Sequence, residues 1–226
     1  MTMNLKLKQL KLLLNDFELL SKTALTQIQI ATKLFEDNTL AMLYDEAEAN
    51  EVIMDRLEVK VREEIVFTIL QFNPIAADLR KIITHQDITT NLERIGDMLL
   101  NIIHFLRKTD LNKPELAEIK NNIFKMLGDV QEMLRNAIYA FQNEDTQLAY
   151  QTIEDDDKVD EMFHKTHRDL ATSFLNKNIS ENDIQEIIIL ASIAHNLERI
   201  GDSTTNIAEA AIYLTEGKDI RHGNEE

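Results

Sequence analysis

The 226-residue chain has no cysteine. Disulfides, thiolate metal sites and thiol nucleophiles are therefore excluded, and a chain of this kind fits a reducing compartment. Tryptophan is absent too, aromatics make up only 6%, and there are just 5 glycines and 2 prolines. So few breakers favour long helices over many short strands and turns. Basic residues are scarce: 24 Lys and Arg stand against 40 Asp and Glu, a net charge of −16. Such a surface repels nucleic acid phosphates and anionic lipid headgroups. No nucleic-acid partner is expected, and the chain should be peripheral to a membrane at most. No window approaches the roughly 18 apolar residues of a membrane span. The stretch from Met1 to Phe17 interleaves Lys6, Lys8 and Lys11 with its leucines, so it offers no signal-type apolar run. The expected location is cytoplasmic.

What is present is a repeat. The heptapeptide Asn-Leu-Glu-Arg-Ile-Gly-Asp occurs at Asn91–Asp97 and again at Asn196–Asp202, 105 residues later. Sliding residues 51–102 onto 156–207 at that offset, without a gap, gives 17 identities in 52 positions. They include Asp55/Asp160, Asp78/Asp183, Ile83/Ile188 and Asn101/Asn206. A long gap-free offset argues for two equivalent halves, and two units are too few for a solenoid. With hydrophobic residues at 44%, the expected fold is all-α: two tandem, pseudo-symmetric three-helix bundles, residues 1–110 and 111–226.

The helices can be drawn from periodicity and punctuation. The first runs from about Leu5 to Glu36, with Leu10, Leu13, Phe17, Leu20, Ala24, Ile28 and Ala31 at helical spacing. Asp37-Asn38-Thr39 reads as a turn, with Asn38 or Thr39 capping a second helix that reaches Phe72. Asn73-Pro74 reads as N-cap and first turn of a third helix, ending near Lys108. After a boundary at Asp110–Pro114, a fourth helix starts at Pro114 and ends near Asn143. The fifth spans about Thr146 to Leu175. Ser180 and Asp183 form a capping-box-like start to the sixth, which Gly217 stops.

Four acidic i,i+4 pairs obey the internal offset: Glu51/Asp55 and Glu93/Asp97 in the first half, Asp156/Asp160 and Glu198/Asp202 in the second. Each pair occupies one helix face. One pair lies early on the second helix of its half and the other late on the third. In antiparallel neighbours they would face each other. Four carboxylates in a partly dehydrated groove need protons, cationic partners or a metal. Arg94 and Arg199 are candidates for ordinary salt bridges, and acidic pairs are common on solvated helix faces. If a metal is bound, an all-oxygen set favours Mg²⁺, Mn²⁺, Ca²⁺ or iron over copper or structural zinc. Asn101 and Asn206 are placed to add a carbonyl oxygen, with Asp78 and Asp183 further off. Gly96 and Gly201, inside strong helices, imply a close approach at the same point in both halves, by a packed helix or by a metal site.

With its doubled Leu-Glu-Arg-Ile-Gly-Asp followed by Asn-Ile, its Asp78-Leu79-Arg80 after Pro74 and its closing Gly217-Lys218-Asp219-Ile220-Arg221-His222, the chain resembles the PhoU family of phosphate-signalling regulators. The resemblance implies two tandem three-helix bundles and multinuclear metal sites at the Glu/Asp-x-x-x-Asp motifs. By position the ligands would be Glu51, Asp55, Glu93, Asp97, Asp156, Asp160, Glu198 and Asp202. The metal would be iron, manganese, magnesium or zinc. It also implies a homodimeric, non-catalytic negative regulator of phosphate uptake and of the phosphate-starvation response. Its partners would be the ATPase subunit of a phosphate ABC transporter and a sensor histidine kinase. Where the first half has Arg80 the second has Gln185, so any role of that arginine is single-copy.

Three other readings are compatible with the sequence: a regulator of a different phosphate transporter, a helical adaptor without metal, and a ferritin-like di-iron enzyme. The last wants two Glu-x-x-His elements in one core. Glu161 and His164 supply one, and the matching first-half residues, Arg56 and Val59, supply none. His164 and His195 lie within a turn or so of Asp160 and Glu198, but read first as surface or packing histidines.

Overall fold

The computed structural model describes residues 2–75, 77–110, 113–173 and 180–220, with side chains from residue 12 onward. Six long helices carry the fold: α1 (Thr2–Glu36), α2 (Ala41–Phe72), α3 (Ala77–Leu106), α4 (Ala117–Asn143), α5 (Thr146–Thr172) and α6 (Glu181–Glu216). No strand occurs among the described residues. Helices α1–α3 pack on one another, as do α4–α6, and the two bundles meet where α3 packs on α6 and α1 on α4. The architecture is the tandem pair of helical bundles that the repeat implied. No described helix is long and apolar enough to cross a membrane.

Periodicity explains the packing. On α1, Leu13, Phe17, Leu20, Ala24, Ile28 and Ala31 are buried along one stripe. Helix α4 repeats the pattern with Ile123, Met126, Leu127, Val130, Leu134, Ala137 and Phe141. The third helix of each half is buried more nearly all round. Ile88, Leu92, Ile95, Leu99, Ile102 and Ile103 of α3 are sealed, as are Ile193, Leu197, Ile200, Ile207 and Ala208 of α6. Each of these helices serves its own bundle on one side and the other bundle on the other. One continuous apolar core therefore runs from Phe17 to Ile212.

Polar contacts fix the seam at both ends and in the middle, and show that α3 and α6 run antiparallel. At one end Arg80 lies over the Tyr213 ring, 5.5 Å from its centroid, and against Gly217. In the middle the Asn206 amide donates to Asn91 Oδ1 at 3.4 Å. At the other end Lys113 pairs with Asp183, and buried Glu186 accepts the Asp110 backbone N–H at 2.9 Å. Buried Lys120 donates to the Asp110 carbonyl. Asp183 is held at about 2, first by Lys113 and then by the Ser180 backbone and hydroxyl. It does so while completing the capping box with Ser180 that starts α6.

Several element boundaries differ from expectation. Asn73 does not open α3. It ends α2 in the left-handed region (φ 44), its N–H bonded to Ile69 O, and α3 begins only at Ala77. Pro74 then follows a helix stop, the other common position for proline. Neither Asn38 nor Thr39 caps α2, whose N-cap is Leu40. Asp37 instead accepts from the Thr39 N–H and hydroxyl, and Asn38 donates to the Leu106 and Thr109 carbonyls, closing the end of α3. Pro114 starts a 3-10 turn, Pro114–Leu116, ahead of α4. The first helix extends to Thr2, the third ends at Leu106 and the fifth at Thr172, while Phe72, Asn143, Thr146 and Gly217 fall where expected. Leu175, Arg221 and His222 lie outside the described residues.

Gly217 adopts φ +72, and a Cβ there would stand 2.7 Å from an Arg80 guanidinium nitrogen. Gly217→Ala should lower the unfolding free energy by about 1–2 kcal/mol through left-handed backbone strain, and should also push Arg80 off the seam. In an Arg80→Ala background only the backbone part should remain. Chemical denaturation of the single and double variants checks this, and additive losses would contradict it.

Candidate metal centre

The second and third helices of each bundle are antiparallel neighbours, so the acidic pairs do face each other. In the first bundle Glu51 and Asp55 project from α2 toward Asp97 on α3. One carboxylate oxygen from each lies within 4.8 Å of the other two. Oxygens sharing one cation at roughly 2.0–2.6 Å can be separated by no more than about 5 Å, so this triad fits a single hard cation. Glu93 stands half-buried one turn earlier on α3 and is close enough for the charges of Asp97, Glu58 and Asp55 to raise its pKa, after burial itself.

Glu51 is the decisive member. It is only 8% exposed, and neither carboxylate oxygen has a hydrogen-bond donor. Burial first, then the neighbouring carboxylate of Asp97, then Asp55 and Glu93, push it up to about 9. As an anion it faces only acceptors. It is stable there either protonated, with its O–H donated to Asp97, or facing a cation. Asp55 and Asp97, both exposed, form the rim above it.

In the second bundle Asp156 occupies the equivalent place. Its Oδ1 is sealed without a donor, and burial followed by the charges of Asp160, Asp202 and Glu198 pushes it up to about 7. Glu198 and Asp202 are raised as well, in each case by burial first. These four acids share one electrostatic environment, but among the described residues only Glu51, Asp55 and Asp97 converge on one point. Asp156 is one methylene shorter than Glu51 and reaches less far across the groove.

The recurrent glycines now have a cause. A Cβ on Gly96 would stand 2.7 Å from Met54 Cε and 3.3 Å from Glu51 Oε2. On Gly201 it would stand 2.6 Å from Asp156 Oδ1 and 3.5 Å from Val159 Cγ1. Glu51/Asp156 and Met54/Val159 are equivalent at the 105-residue offset. In each half the glycine therefore admits one apolar side chain and the innermost carboxylate together.

Other candidates fall away from the clusters. Arg94 and Arg199 are exposed, and among the described residues neither makes an ion pair with these acids within 4.0 Å. Asn206 is bonded across the seam to Asn91, and Asn101 is exposed. Asp78 is exposed on the first turn of α3, and Asp183 is paired with Lys113 at the end of the seam. His195 Nδ1 is 3.5 Å from Glu198 Oε2 with its side chain 57% exposed. Glu161 and His164 lie on the outer surface of α5, beside Lys165 and Arg168, and not in a bundle core as a ferritin-like site requires. One acid went unread: Glu58, buried and paired with Arg62, close enough to raise Glu93. Its signal was its position two turns beyond Glu51. The repeat hid it, because the matching residue is Phe163.

With this geometry in view, residues 17–106 and 123–211 each match the PhoU domain family model. The chain belongs to the PhoU family. A phosphate-specific transport system accessory protein PhoU homolog of Aquifex aeolicus is 33% identical over 90% of this chain and 89% of its own length. One from Thermotoga maritima is 34% identical over 75% and 71%. The crystal structure of PhoU from Pseudomonas aeruginosa superposes with a TM-score of 0.85 at 25% identity, covering 93% of this chain and 99% of that one.

The raised acids give a pH signature. Between its unfolded value near 4.5 and its folded value of about 9, Glu51 holds a proton in the native state that the unfolded chain has released. Stability of the chelator-treated protein should therefore fall as pH rises through that window, with Asp156 adding between 3.8 and about 7. Urea melts at pH 5, 7 and 9 should show the decline, and Glu51→Gln should flatten it. A rise with pH in metal-free protein would refute the assignment.

Proposed function

We propose that this PhoU-family chain is the accessory regulator of a phosphate-specific transport system, a metal-binding adaptor and not a catalyst. Residues 1–110 and 111–226 act as two half-units, each with one carboxylate cluster. The observation that carries the metal is the buried Glu51 carboxylate, which no protein donor satisfies. The set that would hold a cation in the first bundle is Glu51, Asp55 and Asp97, with Glu93 alongside. In the second it is Asp156, Asp160, Glu198 and Asp202. Such an ion would neutralise facing carboxylates and so fix α2 against α3, and α5 against α6. All donors are hard oxygens, which suits magnesium, manganese or iron before zinc.

The transport role is supported by the relatives from Thermotoga maritima and Aquifex aeolicus, which are accessory proteins of phosphate-specific transport systems. In this reading the chain is a cytoplasmic homodimer that acts as a negative regulator. It docks on the ATPase subunit of the phosphate importer and passes the state of uptake to a sensor histidine kinase. A net charge of −16 suits basic surfaces on those partners and speeds their encounter at low salt.

Protein purified without chelator should carry a divalent or iron cation by elemental analysis. Glu51→Gln with Asp97→Asn should remove the first bundle's share while leaving the fold, read by circular dichroism. Metal-free wild-type protein with no thermal shift on adding Mn²⁺, Mg²⁺ or Fe²⁺ would sink the metal reading. Deletion in the native host should raise phosphate uptake and starvation-gene expression in phosphate-replete medium. Unchanged uptake and expression would sink the regulatory one.

A further inference from the structure

A cavity of about 180 Å³ lies away from both acidic clusters, where the first bundle meets the C-terminal ends of α4 and α6. Leu14 and Phe17 of α1, His85 of α3, Phe141 of α4 and Leu214 of α6 wall it, with Lys81 beside them. Both bundles therefore contribute to it. It opens to solvent on one side and Gln142 also lines it, and a space of roughly 150 Å³ is enough for a benzene-sized molecule.

The cavity also carries a polar feature. His85 is 2% exposed, and its Nδ1 lies 2.7 Å from the Lys81 carbonyl oxygen. A carbonyl only accepts, so the ring proton sits on Nδ1. Burial disfavours the charged ring, which leaves Nε2 as an acceptor lone pair. No described residue donates to it. Unlike the Glu51 oxygens, Nε2 is not sealed, so it is open to a donor brought by an occupant of the cavity. Phe17, His85 and Phe141 already form an edge-to-face trio, with centroids 5.4, 5.1 and 5.0 Å apart. A further ring would extend that arrangement. Lys81 disfavours a cationic guest, while Glu144, 3.9 Å from Lys81, and Glu18 on the wall disfavour an anionic one. A neutral, planar guest of one ring system suits these walls.

We propose that this cavity is a binding site for a small neutral aromatic carrying one hydrogen-bond donor, a phenol or an indole, with the donor on His85 Nε2. The inference does not rest on the phosphate or metal reading. Because the walls come from both bundles, an occupant braces the seam at the end where Arg80 meets Tyr213, and stabilises the whole chain by mass action.

The test uses the full-length wild-type protein with ¹⁵N-labelled histidine, titrated with phenol and with indole, and in parallel with anisole and 1-methylindole, which lack the donor. Phenol and indole should move the His85 Nε2 resonance and raise the melting temperature. The blocked analogues should bind roughly ten-fold more weakly or worse, since they leave the acceptor unpaired. His85→Phe should erase that preference. Equal binding of phenol and anisole, or no change at Nε2 at saturating phenol, would overturn the proposal. The nitrogen shift decides this in wild-type protein even if the variant does not fold.

Discussion

A carboxylate pressed onto a helix glycine is the constraint from which much of this structure follows. Glu51 meets Gly96, and Asp156 meets Gly201. Any larger residue on the third helix would hold the second helix away and let water reach the acid. With glycine the helices close, the carboxylate is sealed, and the site must be neutralised by a proton or a cation. Two mid-helix glycines, each unfavourable by about 1 kcal/mol relative to alanine, are thus part of the acid site itself. Met54 and Val159 occupy the rest of the same notches. Packing and charge are therefore two consequences of one close approach.

The fold was legible in the sequence to the extent that it is local or repeated. The apolar stripe of α1, the Ser180–Asp183 capping box and the Gly217 stop are local signals, and the 105-residue offset carried the tandem bundles. Punctuation misled where one residue can serve two roles. Asn73 before Pro74 looks like a helix start, yet asparagine also tolerates the left-handed region that ends α2. Asn38, read as a cap for α2, donates instead to carbonyls some 70 positions away, and no short window reveals such a partner. The seam contacts Arg80–Tyr213, Asn206–Asn91 and Lys113–Asp183 were out of reach for the same reason. They depend on how two bundles are set against each other, which periodicity does not encode.

The candidate site shows where repeat logic stops. The offset predicts two equal clusters, and among the described residues the structure brings three oxygens together in the first alone. The difference traces to single residues. Glu51 has one methylene more than Asp156, and Glu58 brings a fifth acid near the first cluster where Phe163 stands in the second. Phe163 in turn sits among His164, His167 and His195, and His195 Nδ1 stands 3.5 Å from Glu198 Oε2. Duplication supplied the frame, and divergence at a few positions gave the halves different chemistry.

Helix α3 ties these observations together. One of its faces bears Glu93, Gly96 and Asp97 against α2, and the other lies on α6, which repeats the arrangement with Glu198, Gly201 and Asp202. Because the core is continuous and close-packed, a shift of α2 over Gly96 cannot be absorbed by α3 alone. The opposite face of α3 lies at the seam, where Asn91, Arg80 and the Asp110 backbone contact the second bundle. In the proposed metal-bound form a cation would draw in Asp55, whereas a proton on Glu51 leaves only a hydrogen bond to Asp97, so the two occupants would set α2 on α3 differently. For the proposed regulator that choice would lie on α3, the helix that packs against both α2 and the second bundle.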